Sequence, residues 1–473
     1  MHDFIGYILS LFQRGLHLAV PVLLLCGAIV AVCWILFRRQ NRPFPWGRAL
    51  VLLLLIGWLV LTVFLTLLRG EPGHRQWNLH LFLAWREAWN QFTLQVWLNV
   101  LLNIALFLPL GFLLPLLTRW FRSWPRMLLA GLGVSLLIEL GQFATARGML
   151  DVDDLFTNTL GAMVGWSISM LILTLTKRSP GWKRRCGALL PIPAALLFAL
   201  ALIFGGYALK PYGNLPDAPV ITANLDGIQW ELAFTPEDAP ATAPIYRAGR
   251  LDRSASEAFA AAFAQKLGIT FEDTYYYDDI IIFANHTSGD FLNLYQRDGT
   301  WEYRIDREKR PVFDVPASQV SPDALLSILD VWGISVPEGA AFALEPSGEA
   351  YVQASFTSQL IPADGPSVYG TLTCLLQEQD SASTLTSIEN QLVSLTPCEE
   401  RPILTPAQAV EQLYGGRSFA GTVLEHSGLT QIQVLSCTLE WIADTKGFYQ
   451  PVYCFLLQAP EGEPFTDYVA ALN

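Results

Sequence analysis

The sequence predicts an all-α polytopic membrane bundle of about six spans, followed by an extracytoplasmic α+β domain. Three observations predict it. Hydrophobic residues make up 52% of the 473 positions and charged residues only 15%, where soluble domains carry about 25% charge. The apolar residues concentrate in six long runs before residue 210. The charge divides at the same place. Residues 1–210 carry 18 Lys and Arg against 7 Asp and Glu, a net of +11; residues 211–473 carry 12 against 35, a net of −23. With 15 Trp, 15 Tyr and 27 Phe the chain is not intrinsically disordered. A tail of −23 repels phosphate, so no nucleic-acid partner is expected.

The six runs are 16–37, 48–68, 94–117, 126–144, 155–176 and 187–208. Each is near the ~20 residues that cross about 30 Å of hydrocarbon. The second, VLLLLIGWLVLTVFLTLL, holds neither charge nor proline; the others tolerate Gly, Pro or one polar residue, as bundled spans do. No small-residue cleavage site follows the first run. Arg38, Arg39, Arg42 and Arg48 follow instead, so residues 1–44 read as a retained anchor span and basic loop. Residues 45–176 form the central membrane domain and 177–209 a basic loop with the sixth span. KPYGNLPDAP makes 210–219 a linker, and 220–473 is the acidic tail, divisible into units 220–360 and 361–473.

Excess Lys and Arg marks cytoplasmic loops. The basic loops are 38–48, 118–126 (Arg119, Arg122, Arg126) and 177–186 (Lys177, Arg178, Lys183, Arg184, Arg185). They alternate, so loops 69–93 and 145–154 and the tail lie outside. Loop 69–93 is itself weakly basic, with Arg69, Arg75 and Arg86 against Glu71 and Glu87.

Polar groups gather toward this outer side. Asn99 and Asn103, four apart, share one face of the third span, and Phe107 continues the stripe. Pro109, Gly111 and Pro115 are expected to bend or loosen that helix further on. Ser135, Glu139 and Gln142 share a face of the fourth span. An intramembrane carboxylate costs roughly 2.5–3.5 kcal/mol on insertion scales, so Glu139 must face the bundle and find a partner. Arg147 is the one cation of loop 145–154. If the fifth helix begins near 151, Asp151, Asp154 and Asn158 fall on one face, Gly161 and Gly165 extend it as a close-packing stripe, and Asp153 points elsewhere. All these groups can meet in one pocket at the outer boundary. The alternative is assembly alone: the Asx side chains cap the fifth helix, its positive end suits the acids, and Arg147 neutralises a neighbour.

The segments N-I-A-L-F-L-P-L-G-F-L-L-P at 103–115, S-L-L-I-E-L-G-Q at 135–142 and R-G-M-L-D-V-D-D-L-F-T-N-T-L-G-A-M-V-G at 147–165 resemble, in order, spacing and membrane context, the VanZ-like family. That family is named for a protein linked to glycopeptide (teicoplanin) resistance, and the resemblance covers about residues 45–176. It implies a bacterial cell-membrane protein whose recurrent polar positions are Asn103, Glu139, Gln142, Arg147, Asp151, Asp154 and Asn158. Asp151 stands where many relatives have Glu, which keeps the charge. The resemblance implies a role around cell-wall glycopolymers, lipid carriers or antibiotic access to them, without an agreed reaction.

Catalysis is left open by the residues. Glu139, Asp151 and Asp154 could hold a divalent cation or perform acid/base chemistry, and Arg147 could hold a phosphate. No Ser-His-Asp or Cys-His arrangement and no nucleotide-binding glycine loop is present.

In the tail, IQWELAF, TYYYDDIIIFAN, FLNLYQRDGTWEYRI and YVQASFTSQL alternate as strands, with RDGT as a hairpin turn. SASEAFAAAFAQKLG at 254–268 and SPDALLSILDVWG at 321–333 read as amphipathic helices, the latter capped by serine. Tyr275, Tyr276 and Tyr277 beside Asp278 and Asp279 form a candidate sugar platform, although alternation turns half of them inward. The last unit runs from the helix TPAQAVEQLYGG at 405–416 through the strands IQVLSCTLEWIAD and YQPVYCFLLQAP to DYVAAL. On Gly415, Tyr449, Pro451, Tyr453, Phe455, Tyr468 and Val469 it resembles the PepSY- and YycI-like modules of bacterial envelope regulators. That resemblance implies a binding or inhibitory unit. Four outer cysteines, Cys374, Cys398, Cys437 and Cys454, allow up to two disulfides or free buried thiols.

Three readings follow. The bundle binds a membrane lipid or cell-wall precursor at its outer face while the tail engages a second envelope component. Or the same pocket catalyses metal-assisted or acid/base chemistry on that lipid. Or the tail regulates a partner protein and the bundle anchors it.

Overall fold

The computed structural model describes residues 2–68, 73–177, 181–277, 279–348, 350–359, 367–379 and 381–472. Arg69, Glu71, Arg178 and Asp278, on which parts of the charge and tyrosine readings rest, lie outside the described residues. The chain forms two compact units, one over Phe4–Pro211 and one over Tyr212–Asn473.

The first unit is helical. It runs through α1 (His2–Arg39), α2 (Trp46–Val63) with a π-helical turn at Phe64–Leu68, and the short α3 (Leu83–Gln91). Then come α4 (Leu94–Leu117), α5 (Trp124–Thr145), α6 (Val152–Lys177), α7 (Trp182–Leu189) and α8 (Pro191–Leu209). Six stretches are long and apolar enough to span: Val20–Arg39, Trp46–Leu67, Leu94–Leu117, Trp124–Thr145, Val152–Lys177 and Trp182–Leu209. The chain is a multi-pass membrane protein. With the basic loops inside by the positive-inside rule, its C-terminal region is extracytoplasmic.

The centre of the bundle is α4, α5 and α6. Lipid tails are as apolar as leucine, so helices associate in a bilayer through close packing of small residues. Gly161 and Gly165 of α6 lie against the Ile104 and Leu108 carbonyls of α4, and Gly111 of α4 against the Ala162 carbonyl; a methyl group at any of the three would overlap the facing backbone. Phe107, Leu110, Met127, Ala162 and Trp166 fill the core beside this seam. Pro109 and Pro115 sit inside α4 without ending it. By contrast, α8 buries no residue, and neither does the described part of α1. Tyr207 of α8 stacks on Phe92 with ring centroids 3.3 Å apart.

The second unit carries a fifteen-stranded sheet. Its strands are β3 (Gln229–Leu232), β4 (Ala241–Ala248), β5 (Asp273–Tyr276), β6 (Ile280–Asn285), β7 (Asp290–Tyr295), β8 (Trp301–Arg304), β9 (Val312–Phe313) and β10 (Ala341–Pro346). They continue with β11 (Tyr351–Ser358), β12 (Ser367–Gln379), β13 (Ala382–Asn390), β14 (Val393–Ile403), β15 (Gln431–Ala443), β16 (Phe448–Gln458) and β17 (Phe465–Ala470); β1 (Gln76–Asn78) and β2 (Met149–Asp151) belong to the first unit. The path is β3-β15-β16-β4-β14-β12-β13-β8-β7-β6-β5. Helices α9 (Arg253–Leu267), α10 (Pro322–Val331), α11 (Pro406–Tyr414) and α12 (Gly421–His426) cover it. Ser321 caps α10 through the Ala324 N–H, and Thr405 with Gln408 forms a capping box on α11.

Two cores lie under the sheet. One gathers residues between Ala260 and Ile388 beneath α9 and α10. The other gathers Ala223, Ile432, Phe455 and Val469 beneath α11. The cores do not part near residue 360: β3 and β4, from the front of the tail, pair with β15, β14 and β16, and β12 serves both halves. Nor does the 210–219 segment hang free. The Gly213 N–H donates to Asp444 Oδ2 at 2.6 Å, and the fully buried Asp444 also accepts from the Lys446 and Phe448 N–H groups and from Gln450 Nε2. A side chain on Gly213 would meet the Lys446 and Thr445 amides.

The outer cysteines are free thiols. Cys437 stands opposite Phe455 and Cys454 opposite Thr438, so their sulfurs project from opposite faces of the β15–β16 ladder. Cys398 is exposed at an irregularity in β14, and Cys374 is buried in the first core. Burial pushes the Cys374 and Cys454 thiols up to about 12 and that of Cys437 up to about 11.

Candidate functional site

Two loop segments at the outer end of the bundle meet as a short parallel ladder, β1 (Gln76–Asn78) on β2 (Met149–Asp151). This corrects the expected helical face. Asp151 ends a strand, and the helix behind it starts at Val152. The Asp151 carboxylate turns back onto that start: Oδ1 accepts from the Asp153 N–H at 2.8 Å and from Asn78 Nδ2 at 3.1 Å. Such an Asx turn supplies one of the acceptors that a helix N-terminus lacks.

Glu139 of α5 is 1% exposed. Its partner is a backbone donor, the Asp151 N–H, 2.9 Å from Oε2. In the first turn of α6, Asp154 Oδ1 accepts from Asn103 Nδ2 of α4 at 2.5 Å. Asn158 donates to Ser135 Oγ at 3.1 Å, and that hydroxyl donates to the Asp154 carbonyl at 3.5 Å. Gln142 and Arg147 serve the end of α2. Gln142 Nε2 donates to the Thr66 carbonyl at 3.3 Å and Arg147 Nη1 to the Leu67 carbonyl at 3.4 Å, both in the π-helical turn. Asn99 is exposed and stands outside this network.

Asp153 was expected to point elsewhere. It points away from Asn103 and Asp154, yet it is 1% exposed and structurally central. Its Oδ1 accepts from the Phe82 N–H at 2.5 Å and its Oδ2 from the Ala84 N–H at 2.7 Å, so it caps α3 from another segment. Phe82 there holds a left-handed φ of 66° and packs edge-on against Phe156. Asn78 was also missed; its partner lies 73 positions away, and nothing local in sequence marks it.

Among the described residues, none of Glu139, Asp151, Asp153 and Asp154 forms an ion pair, and neither does Arg147. Arg147 therefore does not neutralise a neighbour. The Asp151 carboxyl lies above the usual range, chiefly through burial, against the opposing bonds from Asp153 and Asn78; the charge of Asp153 adds to the rise. Burial likewise raises Glu87 of α3, helped by the charges of Asp151 and Asp153. Glu139, Asp151 and Asp154 do not converge as a cation site: each is turned to a different donor, and among the described residues no group of three His, Cys, Asp or Glu is placed to hold a metal. Two buried acceptors, Gln142 Oε1 and Asn158 Oδ1, have no partner.

Comparison with known proteins places a domain on this site. Residues 50–173 match the VanZ/LLP1 family model, so a VanZ/LLP1 domain is present, covering α4, α5 and both outer loop segments and most of α2 and α6. No curated protein matches the chain. Among solved structures, an uncharacterized protein from Eubacterium rectale is 10% identical, covers 52% of this chain and 88% of its own, and has a TM-score of 0.28. The Bacillus megaterium YpeB C-terminal domain is 12% identical, covers 48% of this chain and 95% of its own, and has a TM-score of 0.24.

Proposed function

We propose that the VanZ/LLP1 domain binds the polar head of an envelope lipid or lipid-linked wall precursor at its outer face, and contributes through it to glycopeptide resistance or envelope homeostasis. The observation that carries this reading is unused polar capacity on three of the side chains that gather toward the outer end of the bundle. Arg147 has one carbonyl partner for a five-donor guanidinium, and Gln142 Oε1 and Asn158 Oδ1 accept nothing. Unsatisfied buried polar atoms cost roughly 1–3 kcal/mol each on protein scales. A ligand with a phosphate for Arg147 and hydroxyl or amide donors for the two side-chain oxygens would satisfy all three. The four carboxylates are engaged with donors of the protein itself, and they hold the loops that frame the position.

The test is a lipid-resolved structure and native mass spectrometry of the full chain purified in mild detergent, with Arg147→Gln, Glu139→Gln and Asp154→Asn compared at equal abundance. Head-group density beside Arg147 and Asn158, with lipid retention lost in Arg147→Gln, is the expected result. A site in which ordered water satisfies every polar group, and which co-purifies no lipid, would leave the residues as assembly contacts and end the proposal.

A further inference from the structure

The second unit holds a cleft of about 1580 Å³. Its walls come from β15, from the hairpin turn after β7, and from the junction where β12 leaves β14 for β11 and β13. Two features of its lining point to one kind of ligand.

The first is an open strand edge. Strand β15 pairs with β16 over Gln433–Ala443 on one side, but with β3 only over Gln431–Val434 on the other. From Ser436 onward no described strand covers that second edge, a run of eight residues or about 26 Å at ~3.3 Å per residue. Thr438–Ala443 of this run line the cleft, and every second residue turns its backbone groups away from β16. Trp441 stands opposite Pro451, which has no N–H to exchange, and the Trp441 N–H turns the other way to Tyr369 Oη at 3.1 Å. By the alternation of an antiparallel ladder, Leu439 directs its N–H and C=O to the same open edge. The Trp441 ring is fixed by its own N–H, bonded to the Pro244 carbonyl at 2.8 Å.

The second is charge. Of the acids lining the cleft, Asp298 lies 3.6 Å from Arg297. Glu389, Glu400 and Glu440 have no cationic partner among the described residues; the bonds Glu389 and Glu440 do accept come from the neutral Gln391 and Thr438.

We propose that this cleft binds an extended cationic peptide segment by strand addition to β15, with its Lys or Arg side chains received by Glu389, Glu400 and Glu440. An open edge gives the main-chain bonds and alternate side chains give the selectivity, which is how sheet edges take up peptides. The site is independent of the membrane position, so the two proposals fail separately.

The experiment uses the full chain in detergent and a fluorescent ten-residue peptide of alternating lysine and valine, read by anisotropy. Saturable one-site binding is expected, weakened at least tenfold in Glu389→Gln/Glu440→Gln. The control pair Glu461→Gln/Glu463→Gln, an equal charge change on an exposed loop away from the cleft lining, should stay within twofold. A peptide N-methylated at alternate positions, which blocks the ladder without altering the protein, should also lose at least tenfold. Equal losses in both double variants would reduce the effect to general attraction by an acidic domain and overturn the proposal. Undiminished binding of the N-methylated peptide, equal binding of a glutamate-for-lysine peptide, or binding of an amino-sugar oligomer in place of the peptide would overturn it as well.

Discussion

Asp153→Ala should release the outer loop that carries α3 while leaving the bundle folded. Its carboxylate accepts two backbone N–H groups, Phe82 at 2.5 Å and Ala84 at 2.7 Å, in a place almost closed to solvent. A hydrogen bond to a charged group contributes about 1.5–3 kcal/mol. Two at the lower end give about 3 kcal/mol, and every 1.4 kcal/mol is tenfold in an equilibrium. If the segment opens locally, its amides should therefore exchange about 100-fold faster. Asp153→Asn keeps one acceptor oxygen and turns a donor toward the second N–H, so it should accelerate exchange about tenfold or more on the same reckoning. Hydrogen exchange read by mass spectrometry on the protein in nanodiscs separates the loop peptide 78–92 from a reference peptide in α4. The α4 peptide should be unchanged in both variants, because its glycine seam with α6 does not involve Asp153. Unaltered protection of Phe82 and Ala84 in the alanine variant would refute the capping of α3 by Asp153, and uniform loss of protection across α4 would refute its local character.

The glycine seam makes a sharp pair. Gly161→Ala should abolish accumulation of folded protein, since its methyl overlaps the Ile104 carbonyl, whereas Gly133→Ala on α5 meets nothing within 4 Å and should be tolerated; detergent-solution size-exclusion profiles read both. Sidedness is checked with native thiols: a membrane-impermeant maleimide should label the exposed Cys398 on intact cells and Cys186, beside the basic loop, only after permeabilisation, and the reverse order would invert the topology. Asp467 supplies a pH test. Burial raises its carboxyl above the ordinary value, against the opposing bonds from the Ala420 and Tyr468 N–H groups, so its contribution to stability is present below the unfolded value and is lost as pH rises through the folded one. Asp467→Asn should therefore gain on the native protein as pH rises above the ordinary carboxylate value of about 4, measured by thermal unfolding, and a constant difference would contradict the assignment.

The membrane half was legible because its signals are local. A span is read from one uninterrupted run, and Gly161 and Gly165 fall on one side of a helix whatever their neighbour is. What sequence could not name was that neighbour, the α4 carbonyls. The polar site was legible as composition but not as pairing. Glu139, Asp154 and Asn158 are buried or half-buried in the bundle as their intramembrane positions required. Periodicity still assigned Asp151 to a helix because a three-residue strand has no period to detect, and its partner β1 is 73 residues earlier. The tail shows the same limit at larger scale. Its strands and helices follow alternation and caps, but β4 pairing with β14 joins residues about 150 apart and draws the front of the tail into the last unit.

The carboxylates at the outer mouth are best understood through what they can accept. An ionised carboxylate is an acceptor only, and a helix N-terminus is a set of donors with no partners of its own, at the positive end of a dipole. Asp153 meets the start of α3 and Asp151 the start of α6, while Glu139 meets the N–H of Asp151 between them. Backbone N–H groups, with the side-chain amides of Asn78 and Asn103, thus supply locally what cations would otherwise supply, which is how four acids stand together with no ion pair among the described residues. The same arrangement leaves Arg147 with a carbonyl instead of a carboxylate. Had Arg147 been needed to neutralise the cluster, it would not be available to a ligand. Because these amide donors do that work, replacing Arg147 with Gln should leave β1, β2 and the start of α3 as protected from exchange as before, while removing the bond to the Leu67 carbonyl and, on the proposed function, lipid retention.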